Sequence, residues 1–213
     1  MKVEAGPNRA SGRRETITVR RPYAQDFPVM LEISNWATCH TTANFRTEPE
    51  TLEHWTQLAQ GMPEIYPWFV AERRGAIAGF ATLCPFKDRC GLKSAAEVSV
   101  YVHPDHLREG VGSALYKKLI PTATAQGFRT LVAVIAIPNP ASQRLHEAFG
   151  FKRIGVLERI GWKLGRWQDL GFWQLKLVDD DSAPVQIRPA SEVWRSMEGP
   201  AQAKDNQLSG ASA

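Results

Sequence analysis

Residues 97–120, EVSVYVHPDHLREGVGSALYKKLI, run an alternating strand through a glycine-bearing turn straight into a helix. Alternation puts Glu97, Ser99 and Tyr101 on one face and Val98, Val100 and Val102 on the other. Pro104 ends the strand, and Gly110 and Gly112 stand at the helix mouth with Arg108 just before them. A tight strand-to-helix connection explains such a turn equally well as a ligand does. In the second reading, unpaired N–H groups and the positive end of the helix dipole attract an anion, and glycine lets the backbone approach it closely. No Gly-Lys-Ser/Thr follows, so the turn is not a Walker loop, nor does it match GxGxxG.

The rest of the chain supplies partners for this unit. TITVR (16–20) alternates as a first strand, and an amphipathic helix starts near Asp26 with Pro28 in its first turn. A second helix lies near Pro49 and is stopped by Gly61 and Pro63. Two apolar runs around RRG, with Gly75 at the end of the turn, predict a hairpin. The helix after Gly112 closes at Gly127, and Pro121 inside it predicts a kink or break. TLVAVIAIP is apolar nearly throughout, as a strand buried on both faces should be. Asn139 caps a helix stopped by Gly150, with Leu145 and Phe149 inward, and two further strands follow. The order predicts an α/β domain with a mixed sheet over 16–178, between tails at 1–15 and 179–213 that have no periodic core face. One short helix around SEVWRSM is allowed within the second tail.

Composition excludes some functions. No apolar run approaches the ~20 residues that cross a bilayer, and the N-terminus lacks the apolar stretch of a secretion signal. Three cysteines, Cys39, Cys84 and Cys90, cannot all pair and have no CxxC spacing, which predicts reduced thiols and a cytoplasmic setting. The net charge of +4 is spread rather than gathered in a stripe, which argues against nucleic acid and suits a phosphorylated ligand. His40, His54, His103 and His106 show no ligand spacing with carboxylates, so no metal is expected.

VYVHPDHLREGVGSALYKKLI followed by NPASQRLHEAFGF resembles the GNAT acetyltransferases, whose acetyl-CoA diphosphate sits in a Gln/Arg-x-x-Gly-x-Gly/Ala turn. NFRTEPET, YPWFVAE, VAVIAIPNPASQRLHEAFGF and GWKLGRWQDLGFWQ resemble more narrowly the phosphinothricin N-acetyltransferases and their methionine sulfoximine/sulfone relatives, over roughly 16–178. The resemblance implies a GNAT fold whose mixed central sheet splays between the fourth and fifth strands. It implies acetyl-CoA bound by the main chain of Val100, Tyr101 and Val102 and by the turn Arg108, Glu109, Gly110, Val111, Gly112 and Ser113. Asn139 and Ser142 would meet the coenzyme's pantetheine or phosphate end. Leu107 stands where the family has Gln or Arg, so the cradle falls to backbone amides and the Arg108 charge.

Transfer of an acyl group to an amine requires that an ammonium lose its proton, that the oxyanion meet donors and that the leaving thiolate be balanced. Glu97 heads a largely apolar strand; it reads either as an ordinary strand-edge residue or, by resemblance, as the general base. His146 stands where many GNAT enzymes have an acidic Tyr, and could act as acid, as base or as a hydrogen-bonding wall. For the acceptor, a small-molecule amine, the resemblance points to Phe45, Lys87, Arg89, Tyr101 and Leu170. Lys87 and Arg89 suit a carboxylate or phosphinate, or are a solvated basic loop. Leu92 replaces a family Tyr, a change that bears on phosphinothricin itself rather than on small amines in general. Relatives of this kind are usually homodimers, and Trp162, Trp167 and Trp173 would build either the interface or the core. The implied activity is acetyl-CoA-dependent N-acetylation of a small amino acid or analogue. Other amines, or a coenzyme-binding sensor without catalysis, are the alternatives.

Overall fold

The computed structural model describes residues 16–197. The basic N-terminal tail and the last residues of the C-terminal one, 1–15 and 198–213, lie outside the described residues.

Seven strands form one open sheet in the order β1-β2-β3-β4-β5-β7-β6. They are β1 (Thr18–Arg20), β2 (Trp68–Arg73), β3 (Ala76–Pro85), β4 (Ala95–Val102), β5 (Thr130–Ile137), β6 (Lys152–Lys163) and β7 (Arg166–Lys176). Only β4 and β5 pair in parallel; the other neighbours are antiparallel. The β2–β3 turn is Arg74-Gly75 with φ of 55° and 76°, the doubly left-handed geometry that matches strand twist.

Five α-helices accompany the sheet: α1 (Phe27–His40), α2 (Leu52–Gly61), α3 (Val111–Gln126), α4 (Pro140–Ala148) and α5 (Ala190–Met197). Each starts where local chemistry permits. Thr51 Oγ1 caps α2 by accepting from the His54 N–H at 3.2 Å, and Asn139 Oδ1 caps α4 by accepting from the Ser142 N–H at 3.1 Å. Gly127, at φ 104°, ends α3 in the left-handed cap that only glycine adopts without strain. The break expected at Pro121 is absent, and α3 runs unbroken through it. Pro121 is exposed and so is Lys117, four residues earlier. The carbonyl that loses its helical partner therefore faces water rather than the core.

The two faces of the sheet are covered differently. On one, α3 sends Val111, Leu115, Tyr116, Leu119 and Ala123 against Ala96 and Val98 of β4 and Leu131, Ala133 and Ile135 of β5. On the other, Met30, Leu31 and Ile33 of α1 and Trp55 of α2 pack over Val70 and Phe80, with Tyr101 against them. The alternation read in EVSVYV thus divides β4 between two environments: even residues meet α3, odd residues meet α1 and α2.

The segment after β7 holds the short helix anticipated there, and that helix is packed rather than loose. Ala190, Val193 and Trp194 of α5 are buried, their spacing forming one apolar face. Trp194 meets Phe69 edge-on at 5.5 Å between ring centroids, and the Arg21 guanidinium lies 4.1 Å from its ring. Gln126 clamps the approach by donating to the carbonyls of Ile65 (3.0 Å) and Arg188 (2.8 Å). Among the described residues no helix is long and apolar enough to cross a membrane. Replacing Trp194 with Ala should cost about 3–5 kcal/mol of stability through the cavity left at the end of the core. Denaturant unfolding measures this, and an unchanged midpoint would show that α5 is a passive appendage.

Candidate active site

Pairing between β4 and β5 covers only Ala95↔Thr130, Ala96↔Leu131 and Glu97↔Val132. Beyond Glu97 the two strands part, and β4 continues to Val102 held by β3 alone. The direction of its main-chain groups follows from one bond. The His103 N–H donates to the Ala78 carbonyl at 2.9 Å, so odd residues of β4 spend their hydrogen bonds on β3. Val100 and Val102 therefore turn their N–H and C=O groups into the gap. These are ready-made partners for an extended ligand carrying amides.

The glycine turn sits at the far end of the same strand. Gly110 has φ 89° and an added Cβ would meet nothing within 4 Å, so its value is conformational. Gly112 serves a different purpose: a Cβ there would lie 2.8 Å from Leu145 Cδ2, so glycine permits α3 to meet α4. Helical bonding begins with the Ala114 N–H to the Gly110 carbonyl, at 2.9 Å. The N–H groups of Val111, Gly112 and Ser113 have no partner within the helix and point out of its N-terminus. The Glu109 carboxylate beside them is held by His106 Nδ1 at 2.8 Å and by Arg73, which keep it below the usual carboxylate range. Its charge is thereby offset where an anion would otherwise be repelled. Leu107 is exposed. The cradle as built fits a diphosphate through main-chain donors.

Glu97 lies at the point where the strands part, opposite Cys84 on β3 and Val132 on β5. Burial raises its carboxyl above the ordinary value of 4.5, and the nearby Lys87 charge opposes that rise. Burial, reinforced by Glu97, pushes the Cys84 thiol up to about 11, so it stays protonated and does not compete as a nucleophile. A half-buried acid with a raised pKa beside an open strand edge is suited to accepting a proton near neutral pH.

Further along the same face, Tyr101 stacks on Phe80 at 5.0 Å, and burial raises its hydroxyl pKa against a hydrogen bond from Asn44 and the Arg46 charge. Arg46 pairs with Glu50 at 2.8 Å. Phe45, between Asn44 and Arg46, packs under Gly161 of β6, where a Cβ would fall 2.2 Å from its ring. Lys163, 4% exposed, donates to the Asn44 carbonyl at 2.7 Å and to its Oδ1 at 3.1 Å. Leu170 pairs with Ala136, on the sheet face that also carries Val132. Of the residues anticipated for the acceptor, the structure thus ties Lys87 to Glu97 and sets Phe45 beside Tyr101. Arg89 instead donates to its neighbour Asp88's carbonyl at 2.9 Å, and Leu92 is exposed. Asn44, Arg46, Glu50 and Lys163 were not anticipated. NFRTEP held the first three in plain view, whereas Lys163 in GWKLG reads as an exposed turn lysine.

His146 is buried between α3 and α4. Its Nδ1 lies 2.7 Å from the Ser142 carbonyl, which only accepts, so Nδ1 carries the proton and Nε2 accepts from the Tyr116 hydroxyl at 2.6 Å. Both nitrogens are therefore engaged inside the protein. Burial lowers the pKa of the ring and keeps it neutral. Among the described residues no three His, Cys, Asp or Glu side chains converge as metal ligands.

The description "Acetyltransferase (GNAT) family" matches residues 30–151. A phosphinothricin N-acetyltransferase from Streptomyces viridochromogenes is 39% identical over 86% of this chain and 100% of its own length. An L-methionine sulfoximine/L-methionine sulfone acetyltransferase from Salmonella typhimurium is 37% identical over 79% of this chain and 98% of its own. A solved GNAT-superfamily phosphinothricin acetyltransferase from Sinorhizobium meliloti, in complex with acetyl-CoA, superposes with a TM-score of 0.76. That protein is 31% identical, over 83% of this chain and 97% of its own.

His146 generates a pH test. Folded His146 binds its proton less tightly than an unfolded histidine, so the unfolded chain takes up more protons as pH falls below the ordinary value of 6.5. Stability from this group is intact at neutral pH and is lost on acidification through and below that value. His146→Gln should flatten the fall in unfolding free energy between about pH 7 and pH 5. An identical slope in wild type and variant would place His146 in water.

Proposed function

Because the chain belongs to the acetyltransferase (GNAT) family, and is therefore an N-acetyltransferase, we propose that it acetylates the α-amine of a small amino acid or analogue. The acceptor is of the phosphinothricin, methionine sulfoximine or methionine sulfone kind, with acetyl-CoA as donor. The observation that carries this reading is the placement of Glu97: a half-buried acid of raised pKa at the point where β4 leaves β5.

Acetyl-CoA supplies an acetyl group on a thioester, which an amine attacks as the carbon–sulfur bond breaks. Val100 and Val102 hold the pantetheine amides through the main-chain groups that face the gap. The N–H groups of the 108–113 turn, helped by Arg108, grip the diphosphate. Asn139 and Ser142 line the path between them. Glu97 takes the proton from the acceptor's ammonium, directly or through one water, and so provides the neutral amine that the reaction needs. The relatives' names and the basic side chain of Lys87 beside Glu97 support an acceptor bearing an anionic group. Arg89, Tyr101, Phe45, Leu92 and Leu170 complete its pocket. His146, with both nitrogens engaged, serves as a hydrogen-bonding wall rather than as acid or base.

The enzyme works as a homodimer through the β6–β7 hairpin. Ile160, Trp162, Leu164 and Trp167 are each at least half exposed there, a larger apolar patch than a monomer ordinarily leaves in water. Trp162 and Trp167 stack edge-on at 5.5 Å, whereas Trp173 is 1% exposed and belongs to the core. Sedimentation should give twice the chain mass for wild type and a monomer for Trp162→Glu/Trp167→Glu; a monomeric wild type contradicts the assignment.

Glu97→Gln should lower kcat on methionine sulfone or phosphinothricin by about 10²–10⁴, the usual contribution of a general base. In wild type the acid limb of kcat/KM should lie above the ordinary carboxylate value of 4.5, because burial raises the pKa, and it should vanish in the variant. Thiol release from acetyl-CoA measures both. Tight coenzyme binding with no turnover on any amine would identify a sensor instead.

A further inference from the structure

We infer that Lys163 is a positioning residue: through Asn44 it sets the Tyr101 hydroxyl as a hydrogen-bond donor to the anionic group of the acceptor. The inference rests on the amino-acid N-acetyltransferase reading above for the identity of that acceptor, and on geometry for the rest.

The β6–β7 hairpin outruns its neighbour. β7 pairs with β5 only from Lys176 to Asp169, so the tip that follows has no β5 beneath it. That tip is docked on the α1–α2 connection instead, and two positions of β6 make the contact. Gly161 accepts the Phe45 ring against its bare Cα, and Lys163 reaches Asn44. A lysine at a hairpin tip ordinarily stands in water. This one is 4% exposed, and its two close partners are uncharged oxygens of one residue. Burying an ammonium in this way is costly, and the depressed pKa of Lys163 reflects it.

The contact has a directional consequence. A lysine can only donate, and so can the Arg46 N–H, which reaches Asn44 Oδ1 at 3.2 Å. The carboxamide oxygen is therefore fixed toward Lys163 and Arg46. The amide nitrogen must face the other way, where it donates to Thr38 Oγ1 at 3.2 Å and bonds the Tyr101 hydroxyl. A phenol whose oxygen accepts from an amide keeps its own proton for another partner. Tyr101 shares the β4 face with Glu97, so that proton is presented on the side where the acceptor's amine is deprotonated. Without the ammonium, nothing in this set prevents the carboxamide from turning over and taking the Tyr101 proton for itself.

The experiment compares wild type with Lys163→Met, Lys163→Arg, Tyr101→Phe and the Lys163→Met/Tyr101→Phe double variant. Substrates are methionine sulfone and its carboxamide, which lacks the anionic group. Lys163→Met and Tyr101→Phe should each raise KM for methionine sulfone about tenfold, as loss of one hydrogen bond to a charged group would. The double variant should be no worse than Tyr101→Phe alone, Lys163→Arg should recover part of the loss, and KM for acetyl-CoA and for the carboxamide should not move. Additive losses, or equal losses on the carboxamide, overturn the inference. Should Lys163→Met fail to fold, Asn44→Asp keeps a partner for the ammonium yet removes the donor to Tyr101, and should give the same pattern. A readout independent of turnover is the side-chain amide resonance of Asn44 by NMR, which should shift in Lys163→Met. An unmoved resonance overturns the relay whatever acceptor is used. A wild type that acetylates no amino acid overturns the functional reading alone.

Discussion

Every functional feature of this protein depends on the early end of pairing between β4 and β5. Three residue pairs join them, and then the strands diverge although β4 has five residues still to run. An interior sheet edge with unpaired N–H and C=O groups is ordinarily a liability. Here α3 packs beneath the even residues and α1 with α2 over the odd ones, so the edge is held open yet not exposed along its whole length. Main-chain donors and acceptors are thereby available to an extended ligand without any side chain being dedicated to it. The same geometry explains why Leu107 in place of Gln or Arg is tolerable. The grip belongs to the backbone of the strand and of the turn that follows it.

The opening also creates the one place where charge is taken partly out of water for a chemical purpose. Glu97 is desolvated at the fork, and the Lys87 charge limits how far its pKa can climb. Elsewhere charges near the site are offset locally. Glu109, at the mouth of the anion cradle, is held by His106 and Arg73, and His146 remains neutral in its pair with Tyr116. Two glycines that look equivalent in REGVGS divide the labour: Gly110 supplies a left-handed backbone, and Gly112 supplies room for Leu145.

How far all this is legible in the sequence varies with the range of the interaction. Alternation in EVSVYV, the apolar run of TLVAVIAI and the caps at Asn139 and Gly127 are local signals, and the strands and helices they predict stand where expected. Pro121 misleads because a break depends on where the freed carbonyl points, and that is a property of the packed helix. The helix near Trp194 is visible as a short pattern, but its burial is decided by Phe69 and Gln126, far away in the chain. Lys163 illustrates the limit. Flanked by Trp162 and Leu164 beside a turn glycine, it offers no clue that it meets Asn44 across 119 positions of sequence. Glu97 needs both levels: alternation gives its face, and only the register with Cys84 and Val132 gives its place at the fork.

A crystal structure of the protein with acetyl-CoA would decide whether the fork is what binds the thioester. The pantetheine should lie along β4 with its amides on the main chain of Val100 and Val102, the diphosphate against the N–H groups of Val111, Gly112 and Ser113, and the Glu97 carboxyl turned toward the thioester end. A coenzyme seated anywhere else, or a gap between β4 and β5 that stays filled by protein or water while the ligand is bound, would contradict the account.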